Sequence, residues 1–152
     1  MTDIGTTYLF NMVLNLGEIH SLGKTPLGDR RVAVIEGGSF EGPQLKGTVL
    51  KGGSDWLISR PDGALQLDVR LTLKTDDGHL IGMVYRGYRC GPAAVIDRLN
   101  RGEKVEPSEY YFRTAPFFET SSEKYGRLNR IVAIATGHRL PSGPVYDVFE
   151  VL

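Results

Sequence analysis

Residues 65–75, LQLDVRLTLKT, alternate strictly. Leu65, Leu67, Val69, Leu71 and Leu73 are apolar, and Gln66, Asp68, Arg70, Thr72 and Lys74 between them are polar. A repeat of two marks a strand with one face on a core and the other turned away. Similar stretches at 8–16, 31–36, 45–50, 56–60, 79–89, 109–114, 128–137 and 145–151 predict further strands. Turn-forming tracts separate them: EGG, FEGP, KGG, RPDG, TDDG and LPSGP. In TLKTDDGHLIG, Asp77-Gly78 can take the positive φ angles of a tight hairpin, and in RPDGAL Pro61 presets φ ahead of Asp62-Gly63. Residues 16–31, LGEIHSLGKTPLGDRR, read as the longest loop. Only 91–103, GPAAVIDRLNRGE, has helical spacing, with Pro92 near its start, Gly102 near its end and Ala94, Val95 and Leu99 at helical intervals.

About nine short strands and one short helix predict a mainly β, antiparallel protein, organised as one domain over 1–152. A sheet of so many strands tends to curl, and closure removes its unpaired edges. A β-barrel is therefore the favoured architecture, with a two-sheet sandwich as the alternative.

The bulk composition narrows the partners. The chain has 152 residues, enough for a real core, with 41% hydrophobic and 24% charged residues. Eighteen Lys and Arg balance eighteen Asp and Glu, which argues against nucleic acid or an anionic membrane as partner. No apolar run approaches the roughly 20 residues that span a bilayer. The opening MTDIGTTYLF lacks the basic start and apolar stretch of a secretory signal. Cys90 has no second cysteine to pair with, so a cytoplasmic location is expected. Nineteen glycines and eight prolines are scattered as punctuation, not gathered in one disordered tract.

Four tracts resemble one family. FEGPQLKGTVLKGGSDW, RPDGALQLDVRLTLKTDDGHLI, EYYFRTAPFFET and the closing YGRLNRIVAI…VYDVFEV are similar to the bacterial family of domain of unknown function 3237, also called uncharacterised protein family 0311. The similarity runs over nearly the whole chain from about Gly37. It implies a small β-barrel with a helix against it, of the kind seen in allene oxide cyclase and dirigent proteins. It implies no particular reaction.

Which face of 65–75 looks inward decides the chemistry, and the alternation leaves both arrangements open. In one, the leucines fill the barrel and Asp68, Arg70 and Lys74 meet water. In the other, the even positions line a wet cavity and the leucines pack on the helix or on a second copy. Arg70, Arg86, Arg89 and Arg113 all lie within predicted strands, and guanidinium groups are seldom buried unpaired. They are either structural ion-pair partners of Asp68 and Glu119 or a clamp for a carboxylate. On the strand at 128–137, Asn129, Ile131, Ala133 and Ala135 share a face whose small side chains leave room for a ligand.

Glu119 of FFETSS and Asp55 of GGSDW are candidate general acid–base groups, because a carboxyl beside aromatic rings loses hydration and suits acid–base work near neutral pH, with Asp68 as an alternative proton mover. Glu119, after Pro116, can equally belong to an exposed loop. Asp55 can equally hydrogen-bond its own Gly-Gly turn. Tyr111 and Asn129 would polarise a carbonyl, Arg70, Arg86 and Arg113 would hold an anion, and Trp56 is either core or the wall of a planar pocket. His20, His79 and His138 stand apart without metal-ligand spacing, and no phosphate-cradling or serine-nucleophile motif is present. The expected function is therefore proton-transfer chemistry of isomerase or lyase type on a small planar carboxylated or ketonic ligand, without metal or cofactor. The alternatives are a non-catalytic binding or carrier module and an interaction protein; a homodimer or larger homo-oligomer is compatible with each.

Overall fold

The computed structural model describes residues 2–152. Among them nine strands form one antiparallel sheet: β1 Thr6–Thr25, β2 Gly28–Glu41, β3 Lys46–Val49, β4 Gly53–Ser59, β5 Leu65–Thr75, β6 Leu80–Cys90, β7 Tyr111–Glu119, β8 Ala133–Leu140 and β9 Gly143–Val151. The helix α1 is Ala93–Asn100, and short 3₁₀ turns occupy Pro107–Glu109 and Gly126–Arg130. Round the sheet the order is β1, β9, β8, β7, β6, β5, then β3 with β4, then β2, which pairs β1 again. β3 and β4 share one place in this circuit. β3 pairs the lower halves of its neighbours, Gly38↔Val49 and Val49↔Leu73, and β4 the upper halves, Asp29↔Ser59 and Ser59↔Leu65. The result is an eight-staved barrel, a size whose interior is either just filled by side chains or holds one small ligand.

The alternation of residues 65–75 resolves simply. Leu67, Val69, Leu71 and Leu73 are 5%, 1%, 4% and 0% exposed, so the leucine face fills the barrel. Burying each such side chain contributes about 1.5–3 kcal/mol. The opposite register would strip Asp68, Arg70 and Lys74 of water, which is far more costly than leaving leucines exposed. Of the two arrangements the alternation leaves open, the one with the leucines inside the barrel holds.

Three expectations about elements also change. Residues 16–31 are not a loop: β1 and β2 continue through them as a paired arm, from Ile19↔Ala33 to Thr25↔Gly28. Register shifts at Leu16/Ile19 and Ser21/Gly23 break the period of two there, which hides the strands from a pattern reading. The strand expected at 128–137 starts only at Ala133, because Gly126–Arg130 forms a 3₁₀ turn. Finally, Trp56 is 47% exposed on the outer surface of β4 and belongs to neither core nor pocket. β2 swings from β4 to β3 past Gly38, whose φ is 153° and whose Cβ, if present, would lie 2.1 Å from the Val13 carbonyl oxygen. Glycine alone allows so close a crossing.

The two ends of the lumen differ. The lower end is plugged by edge-to-face rings, Phe10–Phe40 at 5.5 Å and Phe10–Phe118 at 6.0 Å, among Leu73, Ile81 and Met83. The upper end carries Tyr85, Phe112 and Tyr146, and α1 lies across it with Leu99 buried. Val95 and Ile96 of α1 pack, partly buried, on the same core. No helix of the described residues is long and apolar enough to cross a membrane.

Candidate functional site

At the upper end the packing stops short and leaves a cavity of about 200 Å³. Its walls are apolar, from Leu14 and Ile35 through Leu67 and Val69 to Leu99. Into it project Asp55 from β4, Tyr85 and Arg89 from β6, Arg31 from β2, Arg139 from β8 and Tyr146 from β9. The register explains the layering. Asp55 pairs Val69, and Val69 pairs Tyr85, so the carboxyl and the phenol stand at one level on either side of β5. Arg89 lies four residues further up β6, paired to Leu65 and Phe112, about 13 Å along the strand from Tyr85. Arg31, paired to Leu57, stands two residues above Ala33, the partner of Asp55. Acid and phenols thus sit deep, and the guanidinium groups reach in from the rim.

Space at this level depends on Gly137. A Cβ there would lie 2.5 Å from Cγ and Cδ1 of Phe112. With no side chain on β8 the Phe112 ring lies back against the strand, 5.5 Å from the Tyr146 ring, and the cavity stays open.

Asp55 is 8% exposed, and burial pushes its carboxyl up to about 6. The Asp68 backbone N–H donates to its Oδ1 at 3.1 Å and opposes that rise, as do the more distant charges of Arg89 and Arg31, while the Asp68 carboxylate adds to it. The outcome is a carboxyl that changes protonation near neutrality. Tyr85 is 1% exposed, and its hydroxyl meets only that of Tyr146, a contact short of good hydrogen-bond geometry that nonetheless couples the two phenols, whose rings are 5.2 Å apart. Burial raises both phenols, so they remain O–H donors at physiological pH. Arg89 Nε and Arg139 Nη1 are likewise buried without a partner. Burial, then the charge of Arg139, lowers the proton affinity of Arg89. Such orphaned donors are rare in folded proteins and here all face one cavity.

The residues singled out from the sequence lie elsewhere. Arg70 is exposed on β5, and Asp68 faces outward with its carboxylate 3.7 Å from Arg86. Arg113 donates from Nη1 to the Phe112 carbonyl at 2.8 Å and lies over the exposed Tyr111 ring at 5.4 Å. Arg86, Tyr111 and Arg113 do come together, with Tyr88 and Ile134, along an open outer groove of about 580 Å³, where every charge stays hydrated. Glu119 is exposed at the end of β7. Asn129 closes the 3₁₀ turn onto Thr120, donating to its carbonyl at 2.9 Å and accepting from its N–H at 2.8 Å. Asp55 and Arg89, weighed from the sequence for their position, are the two that reach the cavity. Tyr85, Tyr146, Arg31 and Arg139 were missed. Two of them carry a signal, being polar on a parity otherwise apolar or small: Tyr85 (with Arg89) among Ile81, Met83 and Gly87, and Arg139 after Ala133, Ala135 and Gly137. Asp29 and Glu150 blur it for Arg31 and Tyr146.

Among the described residues no group of three His, Cys, Asp or Glu side chains gathers to hold a metal ion. The fold and cavity define a small closed β-barrel with a polar pocket at one end. The chain belongs to the family described as protein of unknown function (DUF3237), whose model matches residues 5–151. A UPF0311 protein of Rhodopseudomonas palustris is 35% identical over 147 residues, 97% of this chain and 96% of its own length. The crystal structure of that conserved protein of unknown function superposes with a TM-score of 0.93 over 100% of this chain and 99% of that one, at 34% identity. A β-barrel-like protein of Acinetobacter baumannii is 38% identical with a TM-score of 0.87, covering 100% and 98%. A structure described as an enzyme from Penicillium herquei shares the fold at 23% identity and a TM-score of 0.76, covering 100% and 97%.

Proposed function

We propose that this protein is an enzyme that binds a small planar carboxylated or ketonic molecule in the cavity at the upper end of the barrel and moves a proton on it, as an isomerase or lyase does, using no metal or nucleotide. The observation that carries this reading is Asp55: a buried carboxyl brought to about 6 and turned into a cavity that also holds a buried pair of phenols, Tyr85 and Tyr146. A general base works best when its proton affinity lies near the operating pH. Ionised Asp55 takes a proton from a carbon beside the ligand carbonyl. The C–H electron pair moves into a C=C bond, and the carbonyl oxygen becomes an enolate held by the O–H of Tyr85, with Tyr146 beside it. Protonated Asp55 then returns the proton to the same carbon or, where a C=C bond is conjugated with the enolate, to its far (γ) carbon, which shifts the double bond, and the charges on all groups are restored. Among proteins of this fold, the Penicillium herquei relative is called an enzyme, which speaks for the scaffold alone.

A carrier needs only an apolar pocket, so a titrating acid beside buried phenols favours catalysis over storage. The test needs no known substrate. Small aryl ketones and 2-oxo acids are incubated with the protein in D2O, and α-carbon exchange is followed by proton NMR. Exchange above background that disappears in Asp55→Asn is the expected result. Binding without exchange across the panel would leave the carrier reading in its place.

A further inference from the structure

The cavity is short of one negative charge. Arg89 and Arg139 enter it with buried N–H groups that meet no acceptor. Among the described residues the arginine ion pairs lie elsewhere, as Arg60–Asp62, Arg86–Asp68, Arg98–Glu109, Arg101–Glu103 and Arg127–Glu150. Asp55 is the carboxyl that lines the cavity, and its Oδ1 already accepts from the Asp68 backbone N–H. Two half-buried guanidinium groups, each with one nitrogen cut off from water, face a single carboxylate and leave a positive charge unmatched, which a bound anion would complete. Arg31 is half-buried like the other two but has no nitrogen buried without a partner, so it adds attraction without demanding an acceptor.

The missing charge has a shape. The orphaned nitrogens, Arg89 Nε and Arg139 Nη1, come from two different strands, β6 and β8, so they ask for two acceptor atoms rather than one. A carboxylate presents two coplanar oxygens and matches guanidinium donors in this way. A phenolate or enolate has a single charged oxygen. The walls beside the pair, Phe112, Leu65 and Leu67, are flat or apolar, and the whole space is about 200 Å³.

We propose that the substrate is a small, flat monocarboxylate whose two oxygens bridge Arg89 and Arg139 at the cavity rim, with its carbon skeleton between Phe112 and the β5 leucines. This rests on the reading that the cavity is the substrate site, and it selects the carboxylated over the neutral ketonic class. The bridge also orients the ligand, since its apolar end is then directed down toward Asp55 and Tyr85.

Benzoate and benzamide, alike in size and shape but unlike in charge, test it by isothermal titration calorimetry at about pH 7.5. The wild-type protein is expected to bind benzoate about tenfold or more tightly than benzamide. Arg89→Gln and Arg139→Gln are each expected to weaken benzoate by a similar factor and leave benzamide unchanged. Asp55→Asn, which removes a like charge, is expected to keep or tighten benzoate binding. Equal binding of the two probes, no binding of either, or benzoate affinity indifferent to both arginines would overturn the proposal. The comparison of probes on the wild type stands even where an arginine variant fails to fold. Benzoate preference without deuterium exchange would sink only the proton-transfer reading, and exchange of neutral ketones without benzoate preference only this one.

Discussion

Asp55 ties the stability of the barrel to pH in a way that can be calculated. Its carboxyl rises from an ordinary value of 3.8 to about 6 on folding, chiefly through burial. The native state therefore holds a proton over a range in which the unfolded chain has lost it, and stability falls as pH rises through that window. Below about pH 3.8 both states are protonated, and above about pH 6 both are ionised, so the loss is complete there. Between pH 4.5 and 7.5 the linkage amounts to about 2 kcal/mol. For a chain of this size that corresponds to roughly 4–8 °C in Tm. Asparagine has nearly the same shape and can still accept from the Asp68 N–H with its amide oxygen, but it does not titrate. Urea denaturation of wild type and Asp55→Asn at both pH values isolates the effect, because every other titrating group is common to the two proteins. The wild type is expected to lose about 2 kcal/mol more than the variant on going from pH 4.5 to 7.5. Parallel pH profiles would refute the argument, and with it the claim that this carboxyl is buried and poised near neutrality.

Three further outcomes are expected. Tyr85→Phe removes a buried hydroxyl that meets only the Tyr146 hydroxyl, so thermal melts should stay within about 1.5 kcal/mol of wild type while deuterium exchange is lost; a larger destabilisation would mean the hydroxyl is fully satisfied within the fold. Gly137→Ala places a methyl 2.5 Å from the Phe112 ring and should cost about 1–3 kcal/mol in chemical denaturation and weaken benzoate, because the ring is pushed into the cavity. On β5, Leu71→Ala should cost about 2–5 kcal/mol, whereas Arg70→Ala, on the outer face, should stay within about 0.5 kcal/mol of wild type; the reverse order would turn the strand inside out.

Much of the fold was legible because it is local. The alternation in Leu65–Thr75 and Leu80–Cys90, the TDDG and RPDG turns and the spacing of Ala94, Val95 and Leu99 each write an element within a dozen residues. Pattern reading failed where β1 and β2 shift register and where Gly126–Arg130 coils instead of extending, since neither keeps a period of two.

The sequence determined that two faces exist on each strand and that one of them is apolar. It could not determine which face closes inward, because alternation is symmetric until the sheet bends, and only the bent barrel makes one face a solvent-free volume. That closure sent Asp68, Arg70 and Trp56 outward and drew Asp55, Tyr85, Arg89, Arg139 and Tyr146 to a common cavity from four separate strands. Their proximity is a property of strand pairing and of the space that Gly137 leaves for Phe112, and no stretch of the chain contains it. The chemistry of the pocket, an acid stripped of water facing guanidinium groups without partners, arises from burial, and burial was decided by the tertiary structure alone.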